Sequence, residues 1–145
     1  ETVVVEGVEV TAFDANHCPG AVCFHFRNPR TGASALHTGD FRAQACLRDN
    51  PTLRRLLAAG RVDHLYLDTT YCQPRWRFPP QEHVLRDLAD IARTELAREP
   101  QTLFLVGAYE IGKEKAVVAL AEAVRSRVDV SEARARKLRI TGWWD

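Results

Sequence analysis

An imidazole, two carboxylates and an ammonium group sit where this chain turns. His17 lies in DANHCPGA, Asp40 in LHTGDFR, Asp68 in LYLDTTY and Lys113 in VGAYEIGKEK. Turns at strand ends are where folds display reactive side chains. Pro19 and Gly20 force the backbone round just after His17. Asp40 follows a strand ending at His37 and a tight Thr-Gly turn. Asp68 closes an apolar strand, at the edge where open sheets collect ligands. Lys113 stands between an apolar run and a helix, and an ammonium beside backbone N–H groups at a helix start suits phosphate. Each residue also has a plainer reading. A lone histidine among turn formers serves as a solvated loop residue, and an aspartate after glycine or a strand serves as a turn or helix cap.

One pattern needs separating from its look-alike. Gly107 to Lys113 fits GxxxxGK, most of a P-loop, but the next residue is Glu114 where that motif needs a Ser or Thr hydroxyl for Mg²⁺. A carboxylate there opposes phosphates, and the loop, with Tyr109 and Glu110, has little glycine. ATP binding is not expected.

The elements that position these groups follow from patterning. ETVVVEGVEVTAFDA reads as strand, Glu-Gly turn, strand. AVCFHFRNPRTGASALHTGD reads as a second hairpin, in which Val22, Phe24 and Phe26 alternate with Cys23, His25 and Arg27; His25 and Arg27 are expected on the polar, solvated face. PTLRRLLAAG predicts a short helix between Pro51 and Gly60. VDHLYLD and TLFLVG predict short buried strands. PQEHVLRDLADIARTELARE predicts a long amphipathic helix with Val84, Leu85, Leu88, Ile91, Ala92 and Leu96 on one face. IGKEKAVVALAEAVRSR predicts another, and SEARARKL a third, capped by Ser131. Hairpins followed by alternating strands and helices predict a layered α/β (α+β) protein.

With 145 residues, 46% hydrophobic and 27% charged, the chain has the composition of a globular domain. A net charge of +1 gives no electrostatic signature of nucleic-acid binding. No apolar run reaches membrane-spanning length, so no membrane partner is expected. The four cysteines form neither a CxxC pair nor a disulfide-like framework, which points to a reducing, intracellular setting. There is no methionine, the chain opens inside a strand pattern, and it closes soon after a helix. It reads as part of something longer.

Taken in order, DANHCPGA, LHTGDFR, LYLDTTY and GxYxIGKEK closely resemble the DNA cross-link repair nucleases, from about Val8 to Val124. That group, which includes Artemis and the interstrand cross-link exonucleases, has a metallo-β-lactamase fold with a β-CASP region. The resemblance implies part of an αββα sandwich, with residues 1–78 as the later part of the metallo-β-lactamase core and 79–145 as the start of the β-CASP region. It makes His17 a metal ligand, Asp40 a carboxylate bridging two metal ions, and Asp68 the first β-CASP acidic residue. Lys113, with Tyr109 and Gly112 of the same loop, matches the neighbourhood of a pocket for a terminal 5′-phosphate. The implied cofactor is Zn²⁺, one or two ions, with Mg²⁺ or Mn²⁺ as alternatives. The implied substrate is DNA, single-stranded or bearing a 5′-phosphate, and the implied location is the nucleus.

Phosphodiester hydrolysis suits such a centre, because zinc brings the pKa of water down to about 7 and two ions can share the charge of the phosphate. Asp68 would orient a ligand or a water from behind. The family's HxHxDH motif would fall before Glu1 and its later histidines after Asp145, so His17 and Asp40 are expected to be two members of a larger ligand set. Glu110 replaces a serine common in that loop and counts against phosphate. A non-catalytic DNA- or protein-binding relative and a small-ester hydrolase on the same fold are the alternative functions. His25, His64, His83 and the four cysteines read as core or surface residues. Trp143 and Trp144 could stack on bases but read as packing residues.

Overall fold

The computed structural model describes residues 1–109 and 111–142. Glu110, Trp143 and Trp144, singled out above, lie outside the described residues. The chain divides into two compact units, Glu1–Cys72 and Gln73–Asp145.

The first unit is built on a mixed five-stranded sheet in the order β1-β2-β3-β4-β5. β1 (Thr2–Val5) and β2 (Val8–Asp14) pair as a hairpin whose turn residues, Glu6 and Gly7, both have positive φ. That is the backbone of a two-residue turn whose twist matches its strands. β3 (Val22–Arg27) and β4 (Ser34–His37) form the second expected hairpin. Between them the Asn28 N–H donates to Ala33 O, and Gly32 N–H donates to Asn28 O. β5 (His64–Tyr66) runs parallel to β4. A parallel pair needs a crossover, here α1 (Ala45–Arg48) and α2 (Pro51–Ala59). Asn50 caps α2, its side-chain oxygen accepting the Thr52 and Leu53 N–H groups, with Pro51 next and Gly60 closing the helix. Such a cap contributes about 1 kcal/mol. The mixture of antiparallel hairpins and helices is the α+β class expected.

Alternation in β3 is real, but its two faces are the reverse of the expectation. Cys23 (1% exposed) and His25 (7%) are buried, while Phe24 and Phe26 are exposed. The reason is where the helices lie. Phe13, Ala15, Cys23 and Leu47 make the core, joined by Leu36, Phe41, Leu53 and Leu56, so α1 and α2 cover the Cys23 side of the sheet. On the other side Val3 pairs with Val10, Val10 with Phe26, and Phe24 with His37, and Val3, Phe24 and Phe26 stay open to solvent. β5 is a strand as expected, but His64, Leu65 and Tyr66 are exposed rather than buried, because β5 is the sheet's edge.

In the second unit α3 (Gln81–Arg98) packs along α4 (Glu114–Val124), burying Ala89 and Ala92, and α5 (Glu132–Ile140) follows. Val84 and Ile91, expected on the buried face of α3, are exposed. Ser131 caps α5 by accepting the Arg134 N–H. The buried strand expected at TLFLVG is absent: the described residues 102–109 have no regular structure, and Leu103 and Leu105 are largely exposed. A strand exists only through its ladder partners, and the described residues supply none there. No helix among the described residues is long and apolar enough to cross a membrane.

Candidate metal centre and phosphate loop

The C-terminal ends of β2, β4 and β5 and the start of β3 meet at one end of the sheet. The loop after β2 is pinned by hydrogen bonds from Ala15 N–H to Ala21 O and from Ala21 N–H to Cys18 O, each 3.0 Å. Asn16, with φ of 54°, and Gly20, with φ of 84°, give it its reversal. His17 rides on this loop. Next to it, Arg42 N–H donates to Ala15 O, which ties the loop to the turn carrying Asp40. His17 Nε2 consequently stands 3.9 Å from Asp40 Oδ2. Both side chains are accessible, His17 at 38% and Asp40 at 81%.

The Asp40 turn is itself tightly built. Gly39 has φ of 56°, and a Cβ on it would meet the Val22 carbonyl oxygen at 3.2 Å, so the position favours glycine twice over. Gly39 N–H donates to His37 Nδ1, and the His37 ring stacks on Tyr66. Thr38, 6% exposed, donates its hydroxyl to Gly39 O and accepts the Asp68 N–H. Thr38 N–H donates to Tyr66 O. Asp68 is thereby fastened to the Asp40 turn.

Asp68 has a different character from Asp40. Its Oδ1 accepts both the hydroxyl of Thr70, at 2.6 Å, and the Thr70 N–H, at 2.9 Å. These two bonds, the Thr70 hydroxyl first, hold its carboxyl below the ordinary 3.8, with the Phe41 N–H and the nearby His17 imidazole adding to the effect. The carboxylate is ionised at neutral pH and largely occupied by its own turn. Among the described residues, Asp40 makes no such local bonds.

Imidazole and carboxylate are the donor types zinc takes, and 3.9 Å is a separation that two ligands of one ion can close with a small side-chain rotation. Zinc sites use three or four protein ligands. Among the described residues, no group of three or more His, Cys, Asp or Glu side chains is arranged to hold a metal. His17 and Asp40 fit as two members of a donor set. A cleft of about 1120 Å³ lies at the opposite end of the sheet, lined in part by Glu9, Thr11, His25, Arg27, Ser34 and Asp63. It holds none of the expected site residues.

Lys113, Tyr109 and Gly112 belong to the second unit, in the segment leading into α4. Lys113 is the exposed residue at the N-cap of that helix, and Tyr109 is also exposed. Gly112, with φ of 98°, bends the chain between them. Glu114 is not turned outward against a phosphate, as the sequence suggested. It is buried at 5%, accepts the Gly112 N–H at 2.7 Å and pairs with Arg134 at 3.4 Å. Sequence reasoning missed Thr38, His37 and this Glu114–Arg134 pair. The LHTGD motif contained the first two, but pairing across α4 and α5 leaves no local signal.

With this geometry established, similarity to known proteins decides the family. The chain is 45% identical, over 97% of its length, to a DNA cross-link repair protein SNM1 of Arabidopsis thaliana. It is 44% identical over 93% of its length to human DNA cross-link repair 1A protein. It is 37% identical over 94% of its length to the chicken 5′ exonuclease Apollo. The chain belongs to the DNA cross-link repair nuclease family. It spans 28% of the Arabidopsis relative, 12% of the human one and 28% of the chicken one. No protein-family model matches it. Within the cross-link repair family, then, this chain carries a segment whose turns bring His17, Asp40 and Asp68 to one sheet end and set Lys113 at a helix start.

Proposed function

We propose that the protein containing this chain is a metal-dependent DNA nuclease that hydrolyses phosphodiesters from a 5′ end, in interstrand cross-link repair in the nucleus. The observation that carries this reading is the approach of His17 to Asp40, 3.9 Å apart on separate turns and both open to solvent. Two relatives are named for DNA cross-link repair and a third for 5′ exonuclease activity, which supports the same reading. Residues 1–78 belong to the metallo-β-lactamase core and residues 79–145 to the start of the β-CASP region. The apolar sheet face of Val3, Val10, Phe24 and Phe26 is the kind of surface that a second sheet covers in a sandwich.

His17 and Asp40 would hold the metal, Zn²⁺ first and Mg²⁺ or Mn²⁺ as alternatives. When bound, the ion supplies Lewis acidity, bringing the pKa of water down to about 7 and offsetting phosphate charge. The chain's own residues do the rest. Asp40, 81% exposed and facing His17, offers its carboxylate to the centre. Asp68, kept ionised by Thr70, sets a fixed negative charge near the His17 imidazole. Lys113 holds a phosphate as a point charge, with Tyr109 and Gly112 shaping the approach, and so favours 5′-phosphorylated ends.

The test uses the intact protein on single-stranded DNA with a 5′-phosphate. Chelator should stop hydrolysis and added metal should restore it. His17→Ala and Asp40→Ala should each lower kcat/KM by more than about a hundredfold, the upper size for loss of a ligand's outer-shell partner. Full activity in either variant contradicts the metal assignment. DNA binding without turnover in the wild type would support a non-catalytic relative. Turnover of small esters, indifferent to Lys113→Ala, would support an ester hydrolase.

A further inference from the structure

The buried ion pair of the second unit has no part in the chemistry described so far. Glu114 opens α4 but turns its carboxylate back on the chain. Oε2 accepts the Gly112 N–H at 2.7 Å, and Oε1 takes Arg134 Nη2 at 3.4 Å. Arg134, on α5, donates its other terminal nitrogen to the Tyr109 carbonyl oxygen. The Arg134 side chain is 20% exposed and that of Glu114 5%. One guanidinium therefore joins the start of the Lys113 loop to the carboxylate that fastens its end. Lys113 lies between Gly112 and Glu114, the two partners of one of these bonds, and is exposed.

Burying this pair is costly, and a hydrophobic replacement of the same shape would serve stability equally well. What an apolar pair cannot do is bond the backbone at two points of a loop. The Gly112 N–H is also taken by Glu114, so an incoming phosphate at this helix start meets the Lys113 side chain and not the Gly112 amide.

We propose that Glu114 and Arg134 are positioning residues that hold the backbone at Tyr109 and at Gly112 so that Lys113 meets the terminal 5′-phosphate of the DNA. The inference rests on the phosphate reading of Lys113 given above. It assigns to α5 a part in substrate selection. Arg134 acts through the loop without touching substrate, so its loss should appear in KM for phosphorylated ends and not in the hydrolytic step.

The experiment compares single-stranded DNA bearing a 5′-phosphate with the same strand bearing a 5′-hydroxyl, using the intact protein and the variants Lys113→Ala, Arg134→Ala, Arg134→Lys and Glu114→Gln. Lys113→Ala should raise KM for the phosphorylated strand roughly tenfold and so narrow the difference in KM between the two strands. Arg134→Ala should raise the same KM roughly fivefold to tenfold, with kcat within about twofold, and should add nothing on a Lys113→Ala background. Arg134→Lys, which keeps one donor, should recover part of the loss, and Glu114→Gln should fall between. Amide exchange at Gly112, read without DNA, should quicken at least about tenfold in Arg134→Ala and Glu114→Gln. Unchanged exchange at Gly112 in both, or an equal fall in kcat on both strands with discrimination intact, overturns the positioning role. Faster exchange at Gly112 together with unchanged discrimination in Lys113→Ala overturns the phosphate reading itself, and the positioning role with it.

Discussion

The Asp68 backbone N–H donates to the Thr38 hydroxyl oxygen at 3.0 Å, and the same hydroxyl donates to the Gly39 carbonyl. One buried side chain thus ties the turn after β5 to the turn that presents Asp40. Removing it should loosen two acidic residues at once. Thr38→Ala should cost about 1–2 kcal/mol of stability, since the Asp68 amide loses its partner. Thr38→Ser, which keeps the hydroxyl, should lose much less. Urea unfolding of the two variants checks the energies, and their kcat/KM shows whether the Asp40 turn has shifted.

Gly39 should tolerate no side chain. Its left-handed backbone and the Val22 carbonyl 3.2 Å from a Cβ position act together. Gly39→Ala should lose about 1–2 kcal/mol or more from the backbone alone. Because the strain falls one residue before Asp40, activity should drop further than stability does. Denaturation midpoint and turnover measured on the same preparation test that order, and a variant with unchanged activity contradicts it.

How much of this was readable beforehand depends on what each signal reports. Helices with local punctuation, such as Pro51 to Gly60 and the Ser131 cap, were placed well, because caps and breakers act within a few residues. Both hairpins followed from their turns. Which face of β3 is covered is not legible in the sequence, since alternation reports two faces and not where α1 and α2 will lie; Phe24 and Phe26 are open and His25 is enclosed. TLFLVG has strand composition, but composition cannot supply a pairing neighbour. At the site, the motifs marked His17, Asp40 and Asp68 individually. Their approach depends on long-range ties, Arg42 N–H to Ala15 O and Asp68 N–H to Thr38, which no local pattern encodes.

Burial of His25 has a consequence for pH. Desolvation lowers its pKa below 6.5, Arg27 adds to the shift, and Glu9 opposes it. The folded state therefore takes up this proton less readily than the unfolded chain. Stability from this residue is complete above about pH 6.5 and is lost as pH falls through the depressed folded value. Wild type should lose more of its urea midpoint between pH 7.5 and pH 5.5 than His25→Gln does. Equal losses would place the imidazole in solvent.

The central claim is that His17 and Asp40 serve one metal centre. Anomalous diffraction at the zinc edge, on the intact protein loaded with zinc, tests it most directly. The account predicts a peak within about 2.0–2.2 Å of both His17 Nε2 and an Asp40 carboxylate oxygen. A fully occupied zinc peak elsewhere, with neither side chain coordinating it, would contradict the account.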